Sequence, residues 1–102
     1  MEELSFLQMP LPRGFELRLV DIAAGSEIPY DPAAWDDALV VVEAGEVELE
    51  CRAGGRRAFG TGAVMFLTGL PLRALHNPGP GPALLAAVSR SGGTTAQQEK
   101  TN

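Results

Sequence analysis

The stretch ALVVVEAGEVELECR (residues 38–52) decides how this chain folds. Residues 38–42 are apolar throughout, which is typical of a central strand that is buried on both faces. After Ala44-Gly45, residues 46–52 alternate charged and apolar side chains, which predicts a second strand with one face in water. A hairpin turn at residues 53–55, Ala-Gly-Gly, ends the pair.

Similar short runs continue on both sides, separated by turns that are rich in Gly and Pro. The 102 residues include 12 Gly and 8 Pro, and no run has a convincing helical period. About eight short strands joined by turns favour an all-β antiparallel sandwich or barrel in a single domain. We predict an N-terminal arm or edge strand at residues 1–13, the barrel at 14–90 and a flexible tail at 91–102. Strands are expected at residues 14–22, 38–42, 46–52, 56–60, 63–67, 72–77 and 83–90.

Composition excludes several classes of function. The formal net charge is −5 and the pI is about 4.7, which disfavours nucleic acid and anionic membrane surfaces as partners. A single cysteine, Cys51, excludes an internal disulfide framework, and its place on the apolar face predicts an inert thiol. The N-terminus lacks the basic residues of a signal peptide, and no apolar run could span a membrane. These features indicate a soluble protein of the cytoplasm.

The positions of the glycines are informative beside this strand pattern. Gly25, the run LVVVEAGEVELE, the sequence Gly62-AVMFL and a strand that closes on Asn77 together resemble the cupin family. The resemblance covers roughly residues 15–90. It implies a cupin-type double-stranded β-helix, a jelly-roll β-barrel whose interior is a ligand pocket, and it implies a homodimer.

The first cupin motif, G-x5-H-x-H-x4-E-x6-G, extends from Gly25 to Gly45 when it is laid on this chain. Its two histidine positions hold Asp31 and Ala33, and its glutamate position holds Ala38. Alanine has no lone pair to offer a metal ion. Two of the three metal-ligand positions in this motif therefore have no side-chain atom that could bind a metal ion.

The second motif, G-x5-P-x-G-x2-H-x3-N, extends from Gly62 to Asn77. Thr68 stands at the proline position, Leu70 at the glycine position and Arg73 at the histidine position. A guanidinium only donates hydrogen bonds and stays protonated, and its charge repels a nearby cation. The replaced ligands therefore predict that the family's metal is absent and that no cofactor is bound.

Arg73 is the residue on which this prediction depends most. Simple alternation places Arg73, Leu75 and Asn77 on the inward face of their strand and His76 on the opposite face. Arg73 would then hold an anionic group of a small ligand, or it would pair with a nearby aspartate as a structural cross-link. Candidate partners for that cross-link are Asp31, Asp36 and Asp37. His76 is expected at the surface or in a subunit contact.

The segment around Asp31 carries the remaining candidates. Tyr30 and Trp35 would form a pocket wall or lid, or they would pack as ordinary core or dimer residues. A different spacer in the first motif would turn Pro32 and Ala34 inward instead of Asp31. Asp36-Asp37 is best interpreted as a turn. The predicted ligand-binding set is Arg73, Asp31, Trp35, Asn77 and Tyr30.

The sequence therefore predicts a metal-free, cupin-like protein that binds or senses a small molecule, with an anionic ligand as one option. Two alternatives stay open. One is a cupin enzyme of the isomerase, lyase or oxygenase type with an atypical carboxylate-based metal site. The other is a structural dimerisation module whose interior is filled by its own side chains.

Overall fold

The computed structural model describes residues 13–90. More than half of these residues lie in strands and a single turn is helical, which confirms the all-β prediction. Residues 1–12 of the arm predicted at 1–13, and the tail predicted at 91–102, lie outside the described residues. The described elements are β1 (Phe15–Ile22), β2 (Glu27–Pro29), α1 (Pro32–Trp35), β3 (Leu39–Ala44), β4 (Glu46–Cys51), β5 (Arg56–Gly60), β6 (Val64–Phe66), β7 (Leu72–His76) and β8 (Ala83–Arg90).

The strands form two four-stranded antiparallel sheets that pack face to face. Sheet A has the order β1-β8-β3-β6, and sheet B has the order β2-β7-β4-β5. Strand β3 is central, as its apolar sequence predicts, and Val40, Val41 and Val42 are fully buried. Within residues 13–90 no helix is long and apolar enough to span a bilayer.

The turn at Gly45 passes the chain from sheet A to sheet B. Its φ of +82° lies in the left-handed region, and a Cβ there would come within 2.6 Å of the Pro82 carbonyl oxygen. Only glycine meets both conditions without a backbone shift. The Ala44-Gly45 break in the opening stretch therefore marks the point where the chain changes sheets.

The hydrophobic core lies between the inner faces of the two sheets. Alternation in β4 directs Val47 and Leu49 inward, where both are buried, while the glutamates of that strand face outward. The core cluster consists of Ile22, Trp35, Ala38, Val40, Val42, Val47, Leu49, Met65, Leu67, Leu72, Leu75, Ala83, Leu85 and Ala87.

The segment 23–37, which the sequence indicates only as turn-rich, contains two regular elements. Strand β2 has three residues and α1 is one helical turn, so neither is long enough to show a hydrophobic period. Asp31 caps the helix by accepting a hydrogen bond from the Ala33 backbone N–H at 3.1 Å, and Pro32 starts it. An Asp-Pro pair is a helix-start signal, and it was available in the sequence.

Candidate functional site

Two of the predicted ligand residues, Tyr30 and Trp35, lie in the segment that runs from the end of β2 to the end of α1. Trp35 is 2% exposed and belongs to the core cluster. The Tyr30 hydroxyl donates a hydrogen bond to the Leu67 backbone carbonyl at 2.7 Å, which ties β2 to the loop that follows β6. Both rings pack against the core. This arrangement is the core-packing alternative, and it leaves any role in ligand binding as a prediction.

Arg18 on β1 contacts α1, and sequence reasoning missed it. Its guanidinium lies 4.9 Å from the centre of the Trp35 ring, and it donates a hydrogen bond to the Ala34 carbonyl. Alternation in β1 places Arg18 on the same side as the inward residues Val20 and Ile22, so the signal existed. Arg18 covers Trp35 and anchors α1 to the edge of sheet A.

Asp31 is exposed, and its carboxylate caps α1 instead of facing the barrel interior. The expectation that Asp31 faces inward is therefore wrong. Its position beyond the end of β2 is the physical reason, because the strand stops at Pro29 and the pleat no longer directs the side chain. No ion pair joins Asp31 to Arg73 in the described residues. The cross-link between them that the sequence allowed does not form.

Asn77 is 1% exposed and is the buried polar residue of the described core. Its side-chain N–H groups donate to the carbonyls of Ile22 and Gly81, both at 2.8 Å, and its side-chain oxygen accepts from the Gly79 backbone N–H at 2.9 Å. These bonds join the end of β7 in sheet B to the end of β1 in sheet A. Asn77 therefore has a structural role that engages both ends of its amide.

Arg73 lies on the outer face of sheet B, so the prediction that it faces the interior is wrong. The cause is a β-bulge: Leu75 pairs with Leu49, whereas Leu72 pairs with Cys51. One extra residue is thus inserted in β7 opposite β4, and alternation changes phase at that point. Arg73 and His76 consequently share the outer face, although their spacing of three residues predicts opposite faces.

This outer face carries a network of charged side chains, which we call the ionic face: Glu27, Glu48, Glu50, Arg56, Arg73 and His76. Glu50 is at its centre. One carboxylate oxygen of Glu50 lies 2.5 Å from Arg73, 2.7 Å from the His76 Nε2 and 3.6 Å from Arg56. The His76 Nδ1 lies 3.1 Å from Glu27, so the ring bridges carboxylates on β2 and β4.

The electrostatics of the ionic face act most strongly on Glu50. The hydrogen bond from Arg73, followed by that from His76, lowers the pKa of Glu50 to about 2, while its partial burial opposes the change. The same pair raises the pKa of Arg73 above its ordinary value. Both groups are therefore charged at neutral pH, and the guanidinium is already engaged by a carboxylate. A free anion would have to compete with Glu50 for Arg73.

The residues present do not fit the metal ion that the resemblance implies. Of the family's ligand positions, Asp31 and Ala33 are exposed at α1, Ala38 is in the core and Arg73 faces outward. Within residues 13–90, no group of three or more His, Cys, Asp or Glu side chains is arranged to hold a metal. Apart from the Met65 thioether and the neighbouring Cys51 thiol, the core cluster between the sheets is aliphatic and aromatic, and these two sulfur atoms are too few to complete a metal site.

Two antiparallel four-stranded sheets, packed face to face around an apolar core, define a double-layered β-barrel of the jelly-roll type. Comparison with solved structures shows that this chain has the cupin fold, as its glycine spacing indicates. No protein-family model matches the sequence, and no curated protein matches it.

Three solved structures illustrate the similarity. The Cupin_2 domain of an XRE family transcriptional regulator from Enterobacter cloacae is 21% identical, with a TM-score of 0.59 over 74% of this chain and 79% of that one. A cupin 2 conserved barrel domain protein from Salinispora arenicola is 20% identical, with a TM-score of 0.58 over 90% and 81%. Ectoine synthase from P. lautus is 23% identical, with a TM-score of 0.55 over 85% and 63%. At these identities the similarity establishes the fold.

Proposed function

We propose that the protein is a metal-independent cupin-fold module that binds or senses a small molecule within the barrel and works as a homodimer. This proposal rests on where the structure places the residues that occupy the family's metal-ligand positions. None of Asp31, Ala33, Ala38 and Arg73 offers a donor atom to the barrel interior. Solved cupin-fold structures include both a domain of a transcriptional regulator and an enzyme, so the fold accommodates a regulatory as well as a catalytic role.

The ligand that fits this interior is neutral and largely apolar. The sequence favours an anionic ligand only through Arg73, and that side chain lies on the ionic face with Glu50. The buried side chains between the sheets are aliphatic or aromatic apart from the Met65 thioether, and the Tyr30 hydroxyl is a polar group at their margin. Tyr30 and Trp35 are the predicted ligand residues that retain this role in the proposal.

Ligand binding is testable with a thermal-shift panel of small neutral molecules, carboxylates and phosphates. We expect neutral, largely apolar compounds to raise the melting temperature and to change the emission of Trp35, which is the only tryptophan of the chain. Arg73→Ala should respond like the wild type because Arg73 faces outward, whereas Tyr30→Phe should respond less. A response confined to anions and lost in Arg73→Ala would refute a neutral interior ligand.

Metal independence is tested separately. The protein would be purified without chelators from cells grown with added iron, zinc, manganese, nickel and copper, and its metal content would be measured by elemental analysis. We expect well under one ion per chain. One bound ion per chain that survives dialysis would overturn the proposal.

The structural dimerisation module is a second candidate, and the position of Trp35 favours it. The indole is 2% exposed and fills space between the sheets, so the chain occupies part of its own interior. Complete absence of a response across the ligand panel would favour this candidate. The enzyme alternative needs a carboxylate-based metal site, and residues 13–90 supply no suitable group of ligands.

The homodimer is supported by the outer face of sheet A. Strands β3 and β8 carry apolar side chains on both faces, and the core cluster between the sheets includes only those of the inner face. Large apolar side chains on the opposite face remain open to water, which is typical of a protein contact. A second copy is the commonest partner of such a face.

A further inference from the structure

Residues 31–37 lie between β2 and β3 and include α1, and we call them the α1 segment. Within the described part of the chain, no backbone hydrogen bond joins this segment to either sheet. Its backbone bonds are local. The Ala34 N–H donates to the Asp31 carbonyl at 3.0 Å, and the Ala38 N–H donates to the Trp35 carbonyl at 3.2 Å. The α1 segment can therefore move without breaking a strand ladder.

Trp35 is the one buried residue of the α1 segment. Its side chain is 2% exposed and belongs to the core cluster, whereas Ala34 is partly buried and the other five residues of the segment are exposed. A single ring thus fixes the segment to the core. If the segment moves away from the sheets, it withdraws this ring and vacates an apolar space of the size of an indole.

Two side chains from other parts of the fold hold the α1 segment in place. The Thr68 hydroxyl accepts a hydrogen bond from the Asp37 N–H at 2.9 Å and donates a longer one to the Trp35 carbonyl at 3.5 Å. Arg18 donates to the Ala34 carbonyl, and its guanidinium lies 4.9 Å from the centre of the Trp35 ring. Single side-chain bonds of this kind are individually weak, so they can hold the segment reversibly.

The closed position of the α1 segment carries two costs. Asp37 has a φ of +57°, in the left-handed region that residues other than glycine seldom adopt. The Trp35 ring is enclosed, yet the hydrogen bonds among the described residues include none from its indole N–H. A buried donor without an acceptor is unfavourable. Both costs end when the segment opens, which narrows the difference in free energy between the closed and open states.

We propose that the α1 segment is a lid, with Thr68 and Arg18 as its latches and Asp37 as its hinge, and that it opens to exchange the Trp35 ring for a ligand. The ligand class is a flat, neutral ring compound of about the size of an indole. This inference rests on the interior ligand of the proposed function and adds its route of entry and its shape. Ligand binding then changes the conformation of one surface segment, which is the response that a sensor needs.

Amide hydrogen exchange of the full chain, followed by NMR, measures the opening without any ligand. The reporter is the Ala38 N–H, because its acceptor is the Trp35 carbonyl. We expect Ala38 to exchange at least about 100-fold faster than the central amides of β3 and β8. Its rate should depend little on low concentrations of urea, because opening exposes one ring and leaves the rest of the core closed.

Variants of the latches test which side chains control the opening. Thr68→Val removes the hydroxyl and keeps the size of the side chain, and it should speed the exchange of Ala38 by about fivefold to tenfold. Arg18→Gln should act in the same direction. Thr61→Val is the matched control, because the Thr61 hydroxyl donates to the Gly45 carbonyl at 3.2 Å in the turn between β5 and β6. It should change the exchange of Ala38 by less than about twofold.

Free indole, which has the ring of the Trp35 side chain, is the probe for ligand entry. If only the open chain admits the ring, the apparent affinity rises with the population of the open state. In an NMR titration, Thr68→Val should therefore bind indole about fivefold to tenfold more tightly than the wild type and Thr61→Val. A purely structural role of Thr68 would leave the affinity unchanged or lower it. Saturating indole should also speed the exchange of Ala38, because the bound ring keeps the lid open.

The outcomes separate this inference from the proposed function. Exchange of Ala38 with the same urea dependence as β3 and β8 refutes the lid, while the thermal-shift panel still decides whether a ligand binds. Local opening without tighter indole binding in Thr68→Val refutes the exchange of Trp35 for a ligand. Local opening in a chain that binds neither indole nor any compound of the panel overturns the interior ligand, and its route of entry with it.

Discussion

The two sheets have four strands each, but their outer faces differ in chemistry: that of sheet B is charged and that of sheet A is largely apolar. On sheet B, charged side chains alternate with core residues, and one oxygen of Glu50 contacts Arg73, His76 and Arg56. On sheet A, the outward positions are as apolar as the inward ones. A strand with apolar side chains on both faces is stable when both faces are shielded from water. In a single chain the margins of the outer side of sheet A stay about half exposed at Leu19, Val64 and Phe66, so this side still offers apolar surface to an external partner.

The largest expected effect lies where the two sheets join. Asn77→Ala removes the donors to the Ile22 and Gly81 carbonyls and leaves these groups without their partner in a buried site. We expect the free energy of unfolding to fall by about 2–4 kcal/mol, since unsatisfied buried polar groups are costly. Chemical denaturation measures this change.

The control for Asn77→Ala is Thr61→Ala. The Thr61 hydroxyl donates to the Gly45 carbonyl at 3.2 Å in an exposed turn. We expect its loss to cost less than about 1 kcal/mol, because water replaces an exposed bond. Equal losses in the two variants would contradict the role of Asn77 as the link between sheets.

The next prediction compares outward residues of the two sheets directly. Val41→Ala removes two methyl groups from a fully buried position on the outer side of sheet A and should lower the free energy of unfolding by about 1–3 kcal/mol. Arg56→Ala on the ionic face should cost less than about 1 kcal/mol, because exposed ion pairs contribute little. The measurement is denaturation at one fixed protein concentration. A larger loss of stability in Arg56→Ala than in Val41→Ala would contradict this prediction.

A smaller effect is expected on the ionic face, and it depends on pH. The pKa of Glu50 is lowered from about 4.5 to about 2 in the folded chain, so its charged form stabilises the fold. That contribution is fully present above the ordinary pKa and is lost as the pH falls from about 4.5 towards 2. Glu50→Gln should therefore be less stable than the wild type at pH 6, and the gap should narrow at pH 3.

Urea denaturation at the two pH values measures this gap. Glu46→Gln is a suitable control, since Glu46 lies on the same strand, is exposed and is not part of the ionic face. Its stability relative to the wild type should change little between pH 6 and pH 3. A Glu50→Gln gap that stays constant, or that widens on acidification, would contradict the coupling of Glu50 to Arg73 and His76.

Much of the fold followed from the sequence because period-two alternation and turn glycines are local signals. The strands on either side of Gly45 and the all-β class could be predicted in this way. The cupin fold followed from the spacing of Gly25, Gly62 and Asn77. Elements as short as β2 and α1 leave too few residues for any period to appear.

The candidate site was less predictable, because it depends on pairing between distant strands. A single bulge in β7 reverses the side on which Arg73 lies, and alternation within that strand cannot reveal it. His76 was correctly expected outside the barrel, but its two glutamate neighbours come from β2 and β4. Arg18 was missed for a different reason: β1 carries apolar residues on both alternating phases, so alternation alone does not identify which face turns towards Trp35.

The homodimer is tested most directly by the mass of the full chain in solution at micromolar concentration, measured by multi-angle light scattering. For the proposed homodimer we expect a particle of twice the 10.7 kDa chain mass for the wild type. Leu19→Glu, which puts a charge at a half-exposed leucine on the outer side of sheet A, should give a single chain. A wild-type particle of one chain mass, or a Leu19→Glu variant that remains a dimer, would contradict this expectation.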